Sequence, residues 1–285
     1  MFASVFRIKN SKTLCGFKLG FSSQKLSHRK MQLKSKLKNN MLTVGSWITL
    51  AHPAIAEIMS RRGFDWVTID LEHSMINIQE AEELIRVIDL CGNTPLVRLS
   101  SNDPVQIKRV MDAGSVGIIL PMVRSLEDID KAFSAIHYPP TGTRGVGLAR
   151  AQGYGARFQE YKNWLGENAV LIAQIENIDA VNNIDSILSS EKVDGYLIGP
   201  YDLSASMGVP GDLDHPDVLT AIKKIKHAGL TANKPGGLHV VEADPKKLDS
   251  LVKDGFLFLA YSVDIRMLDI SCLEGIEVRD KKIDQ

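Results

Sequence analysis

Residues 169–176 read AVLIAQIE and residues 194–200 read DGYLIGP, with the amphipathic stretch NIDAVNNIDSILSS lying between them. Each flank is a near-continuous apolar run, as expected of a strand buried on both faces, and the middle carries helical periodicity. This is one strand–helix–strand unit. Working outward, the same unit recurs. Further apolar runs are VGSWITL (44–50), WVTIDLE (66–72), TPLVRLS (94–100), SVGIILPM (115–122), PGGLHVV (235–241) and GFLFLAYS (255–262). Helical stretches separate them: PAIAEIMSRRG, IQEAEELIRVIDLCG, PVQIKRVMDAG, SLEDIDKAFSAIH, PDVLTAIKKIKHAG and PKKLDSLVKDG. Several open on Pro, Ser or Asn and close on Gly, which start and stop helices. Eight such strands in roughly 240 residues predict an α/β chain folded as a single (β/α)8 barrel. The alternative, a doubly wound open sheet, usually has a Gly-rich loop after its first strand, and ITLAHPAI is not one.

The chain of 285 residues is 44% hydrophobic and 24% charged, ordinary for a globular protein. No apolar run reaches about 18 residues, so no membrane partner is expected. Cys15, Cys91 and Cys272 are too few and too scattered for a disulfide framework. The net charge of zero hides an asymmetry. Residues 1–40 hold ten Lys or Arg and no Asp or Glu, so the remainder carries a net charge of −10. An acidic body argues against nucleic acid as partner. Residues 1–30 are read as a basic tail and residues 31–285 as the barrel, with MQLKSKLKNN as a first helix. The tail is a targeting segment, an over-long start or a disordered arm. The location expected is cytoplasmic, or mitochondrial if the tail is a transit peptide.

A barrel interior is packed with apolar side chains, so polar residues at strand ends belong to the rim, and the C-terminal rim is the active face. Strand two ends in Asp70-Leu71-Glu72-His73, strand three carries Arg98, strand five ends in Gln174-Ile175-Glu176, strand six runs into Pro200-Tyr201-Asp202, and strand eight into Ser262-Val263-Asp264. Glu176 and Asp202 on adjacent strands either share a divalent cation such as Mg²⁺ or Mn²⁺, or one of them caps a helix. Asp70 with His73 is either a general base and its orienting carboxylate, or a cap beside a surface histidine. Arg98 needs an anionic partner, which is a substrate or one of Asp70 and Glu72. His239 in strand seven reads as core. No Lys ends a predicted strand, which argues against a Schiff-base aldolase. The long connection 137–157 (HYPPTGTRGVGLARAQGYGAR) reads as a lid or a flexible segment.

GFDWVTIDLEHS, VRLSSNDPVQIKRVMDAG, ILPMV, GTRGVG, AQIEN and DGYLIGPYDLSASMG occur in this order. Together they resemble the HpcH/HpaI family of class II pyruvate aldolases, from about residue 42 to residue 270. The resemblance implies a barrel whose last helix packs on a neighbouring subunit, in a homohexamer built as a trimer of dimers. It also implies a divalent metal (Mg²⁺ or Mn²⁺, with Co²⁺ as a further choice) on Glu176 and Asp202. Arg98 then binds the keto oxygen of pyruvate and stabilises its enolate, and His73, polarised by Asp70, handles the proton of the substrate 4-hydroxyl. Asp112 matches an acidic residue that reaches an adjacent subunit's site. Gln174 and Ser204, inside the last two motifs, are expected beside the substrate. The implied reaction splits a 4-hydroxy-2-oxo acid into pyruvate and an aldehyde through a metal-stabilised enolate. YSVD in strand eight departs from the family, where Gly more often precedes the last pair, and the lid LARAQGYG also differs. Two rivals stand beside this reading: a CoA-ester lyase of the citrate/malyl type, with Arg144, Arg150 and Arg157 meeting a CoA phosphate, and a non-catalytic barrel.

Overall fold

The order of elements in the computed structural model, which describes residues 32–283, is set by eight strands. They are β1 Thr43–Ile48, β2 Trp66–Asp70, β3 Pro95–Arg98, β4 Gly117–Leu120, β5 Val170–Ile175, β6 Gly195–Ile198, β7 Gly236–Val240 and β8 Phe258–Val263. All pair in parallel in chain order, and β8 returns to β1 to close the barrel. Six of the eight runs read from the sequence contain a strand whole, and the other two miss one end residue, Thr43 of β1 and Val263 of β8.

Before β1 comes α1 (Leu33–Lys38). The βα crossovers carry α2 (Pro53–Ser60), α3 (Ile78–Leu90), α4 (Pro104–Ala113), α5 (Leu126–Ile136), α6 (Phe158–Asn168), α7 (Ile178–Asn182), α8 (Ile184–Leu188), α9 (Pro200–Ser206), α10 (Pro216–Thr231) and α11 (Pro245–Lys253), and α12 (Asp264–Ile283) follows β8. The caps are those the sequence signals: Asn77 and Glu80 form a capping box on α3, and Asp103 caps α4 ahead of Pro104. NIDAVNNIDSILSS is two short helices, broken at Asn183, rather than one. The sequence reading passed over α6, although Phe158, Tyr161 and Leu165 fall at i, i+3 and i+7.

Two apolar layers result. Trp47, Trp66, Leu96, Ile119, Val170, Ile172, Leu197 and Phe258 fill the barrel. Trp66 stacks on Phe258 with centroids 4.5 Å apart. Gly45 makes this possible, because a Cβ there would lie 2.0 Å from the Trp66 ring. Leu33 and Leu37 of α1 join this cluster. Lys36 reaches Asp65 just before β2, and Lys34 reaches Asp194 just before β6. The helix therefore closes the N-terminal end. The second layer, between strands and helices, is larger and includes Ile69, Leu84, Ile107, Ile118, Leu171 and Ile198.

No helix among the described residues is long and apolar enough to cross a membrane. The expected tail over residues 1–30 lies outside the described residues.

Candidate active site

The C-terminal rim gathers its charged groups by strand register. Asp70 and Arg98 are direct neighbours across the β2–β3 ladder. Their side chains form a two-pronged ion pair: Arg98 Nε donates to Asp70 Oδ1 at 2.9 Å and Nη2 to Oδ2 at 2.7 Å. Nη1 lies 3.2 Å from Glu72 Oε2, so both acids on this face of β2 reach the one guanidinium, as a period of two requires. The guanidinium also lies over the Trp47 ring, 4.4 Å from its centroid. Arg98 is thus fixed on three sides.

Asp70 does not hold His73 as the resemblance implied. Its carboxylate is spent on Arg98 and on the backbone N–H groups of Glu72 and His73. The His73 ring is largely exposed, and its Nε2 lies 3.8 Å from Glu72 Oε2. A carboxylate facing a guanidinium forms two charge-assisted hydrogen bonds, which outcompete one bond to a neutral imidazole.

Glu176 follows β5 and is 1% exposed. Its oxygens each accept one neutral donor: Met122 N–H on Oε1 at 2.7 Å and Gln174 Nε2 on Oε2 at 2.5 Å. Gly199 creates the space, since a Cβ there would stand 2.6 Å from Glu176 Oε2. Asp202 follows in the first turn of α9, at the same end of the barrel. Burial pushes the Glu176 carboxyl up to about 7; the Gln174 and Met122 donors oppose this, and the negative charges of Glu72 and Asp202 add to it. Glu72 is likewise raised to about 7 by burial, against Arg98 and with Asp70 and Asp202. Three carboxyls therefore repel across one small space.

This donor set fits a hard divalent cation. Glu176 lacks a cationic partner among the described residues, and the buried Gln174 Oε1 has no hydrogen-bond partner, whereas Glu72 Oε2 already faces Arg98 Nη1. Among the described residues no cluster of three or more His, Cys, Asp or Glu is arranged for a metal. Mg²⁺ and Mn²⁺ accept as few as two carboxylates with other oxygens completing the shell.

The remaining predicted residues lie elsewhere or are engaged. Ser204 is fully buried; its hydroxyl donates to Tyr201 O at 2.7 Å and accepts from Gly211 N–H at 2.9 Å, which locks the turn after α9. Asp112 stands on α4 and pairs with Arg144 at 2.5 Å. Arg144 is buried between the Tyr138 and Tyr161 rings, and Arg150 is held by Asp89 and by the Ala113 carbonyl. Two of the three arginines offered to a CoA phosphate thus anchor the 137–157 connection to the barrel. Asp264 accepts Thr49, Leu50 and Ile265 N–H groups and is structural.

Sequence reasoning missed two supports, Met122 and Trp47. Met122 gives a backbone donor and carries no chemical signal. His239, read as core, is partly buried in β7; its Nε2 bonds Ser262 O at 3.0 Å, its ring lies 5.4 Å from Trp47, and desolvation lowers its pKa to about 4. The neutral imidazole backs the tryptophan that backs Arg98. Ser262 occupies a left-handed backbone, φ 53°, with its hydroxyl turned to Val241 O at 3.0 Å.

A closed barrel with acids and one clamped arginine at its C-terminal rim has the form of an enzyme rather than a scaffold. The chain belongs to the HpcH/HpaI aldolase/citrate lyase family, which matches residues 43–269, and by that membership it is a carbon–carbon lyase. A 4-hydroxy-2-oxo-heptane-1,7-dioate aldolase of Salmonella typhimurium is 39% identical over 242 residues, covering 84% of this chain and 90% of its own length. An HpcH/HpaI aldolase/citrate lyase family protein of Burkholderia cenocepacia superposes with a TM-score of 0.82 at 29% identity, over 87% of this chain and 98% of that one. The HpcH/HpaI aldolase of Desulfitobacterium hafniense gives 0.78 at 30% identity, over 87% and 96%.

Proposed function

We propose that this chain is a divalent-metal-dependent class II aldolase that splits 4-hydroxy-2-oxo acids into pyruvate and an aldehyde, or joins them. The observation that carries this reading is the buried, cation-free Glu176 carboxylate facing the charge of Asp202 beside a clamped Arg98. A Mg²⁺, Mn²⁺ or Co²⁺ ion held by Glu176 and Asp202 would supply a Lewis acid for the oxygens of a 2-oxo acid.

The chain's own residues account for the rest. In cleavage the C3–C4 bond breaks, its electron pair becomes the enolate of pyruvate, and the 4-hydroxyl loses its proton as the aldehyde carbonyl forms. Arg98 is held by Asp70 and Trp47, and its Nη1, 3.2 Å from Glu72 Oε2, would donate to the developing enolate oxygen with little reorganisation. His73 is open to substrate and takes the hydroxyl proton, oriented by Glu72 rather than by Asp70. Gln174 keeps Glu176 aimed and offers its free Oε1 to the bound ligands.

We read α12 as a subunit-packing helix in a homohexamer, since Leu268, Leu273 and Ile276 are exposed on it. Asp112 is then available to a neighbour's site only if its pair with Arg144 turns.

Incubation of the purified chain with Mn²⁺, pyruvate and a panel of aldehydes, read by product mass, tests the reading. Products retaining both carbon skeletons, lost with EDTA, are expected. Turnover of malyl-CoA without any aldol product would favour the CoA-ester lyase instead.

A further inference from the structure

The opposite end of the barrel holds a cavity of about 230 Å³ that the aldolase reading does not use. It opens where β6 and β7 begin and is lined by Asn40, Tyr196, Lys226, Lys234, Phe256 and Leu257. Tyr196 is 2% exposed, but its hydroxyl is open to the cavity and has no hydrogen-bond partner among the described residues. Two further lining residues, Gly229 and Gly236, flank that hydroxyl; a Cβ on either would come within 2.4 Å of it. Side chains there would close the space the phenol points into. A phenol that faces a cavity can donate to an acceptor bound there, a hydrogen bond worth on the order of 1 kcal/mol net.

The cavity is also electropositive. Among the described residues Lys226 has no carboxylate partner, and its ammonium rests 5.1 Å from the Phe256 ring centroid. Lys234 donates to Val193 O at 2.6 Å, and burial lowers its pKa; Lys34 and Lys38 of α1 add to this, against Asp194 and Glu191. Asp194 is itself paired with Lys34. Burial raises Tyr196 to about 12, so it stays a donor. Phe256, Leu257 and Pro235 make the rest of the wall apolar. A bare inorganic anion would leave that wall in contact with water.

We propose that this cavity binds a small organic carboxylate, with its oxygens on the Tyr196 hydroxyl and the Lys226 ammonium and its apolar body against Phe256 and Leu257. The site lies on the face remote from Glu176 and Asp202, so its existence is independent of the reaction at the rim.

Calorimetric titration of the full chain in EDTA with benzoate tests this, with inorganic phosphate in parallel. Tyr196→Phe keeps the ring and removes only the hydroxyl; Lys226→Met keeps the stem and removes the charge. Saturable benzoate binding is expected, weakened about tenfold by either change, the loss of one charge-assisted contact. Arg98→Lys at the rim should leave it unaltered. The absence of saturable binding, affinity unchanged by either cavity substitution, affinity lost with Arg98→Lys, or phosphate bound more tightly than benzoate would each overturn the proposal.

Discussion

Met122 donates its backbone N–H to Glu176 Oε1 at 2.7 Å from a left-handed conformation, φ 51°. A non-glycine residue pays for that conformation in steric strain, and such strain persists where surrounding contacts impose it. Here the backbone just beyond β4 turns so that its amide points at a carboxylate just beyond β5. The position of Glu176 therefore rests on backbone geometry two strands deep and not on its own rotamer alone.

Glu176→Gln and Asp202→Asn should each lower metal-dependent turnover by about 100-fold or more, with the fold intact. Both substitutions keep side-chain size and remove a charge. The check is turnover against Mn²⁺ concentration together with direct Mn²⁺ binding by electron paramagnetic resonance. Normal Mn²⁺ affinity in both variants would refute the assignment of these residues.

Gly199→Ala should damage the same site without touching a polar group. The added methyl would stand 2.6 Å from Glu176 Oε2 and 2.8 Å from its Cβ, so the carboxylate must move. Weaker Mn²⁺ binding with near-native thermal unfolding is expected. Native affinity would show that Glu176 has freedom the packing does not suggest.

Arg98→Lys should cost about 100-fold in turnover even though charge is conserved. Lysine cannot bond both Asp70 oxygens, lie over Trp47 and still present a donor to substrate. Exchange of pyruvate methyl protons in D₂O, followed by proton NMR, isolates enolisation from cleavage. Exchange at the wild-type rate would place Arg98 outside the enolate chemistry.

The metal-free protein should lose stability as pH rises from about 4.5 to about 7, through the raised carboxyls of Glu176 and Glu72. In that window the native state holds protons that the unfolded chain releases, so unfolding becomes easier as pH rises. His239 works in the other direction: with its pKa lowered to about 4, it favours the native state above about 6.5 and less so below. Comparing wild type with Glu176→Gln in EDTA isolates the carboxyl. Its melting temperature relative to the variant should fall with pH, and Mn²⁺ should restore it at high pH only. A difference independent of pH would contradict the uncompensated charge at the rim.

Ser262→Gly should be neutral or stabilising, whereas Ser262→Val should destabilise by about 2 kcal/mol or more, because a β-branched residue is strained at φ 53°. Differential scanning calorimetry decides it. Equal melting temperatures for the two variants would mean the backbone relaxes at this position.

Much of this architecture could be read from local pattern. Eight apolar runs and most of their intervening helices depend on residues a few positions apart, and all eight strands overlap the stretches expected, with only Thr43 and Val263 outside them. Burial on both faces made those runs near-continuous. The helix α6 is hard to read from pattern because it follows a Gly-rich connection and its apolar face is thin, with only Tyr161 and Leu165 buried. The same connection looked free; Arg144 and Arg150 tie it to α4 and α3 through Asp112 and Asp89.

The order of residues along the chain determined the barrel and the strand ends at which acids and arginine stand, because strand period and crossover length are local properties. Tertiary structure alone decided that Asp70 belongs to Arg98 and not to His73, that Ser204 serves a turn, and that a methionine amide holds Glu176. Those outcomes depend on which residues of neighbouring strands come level, and register across a closed sheet is set by the whole ring at once.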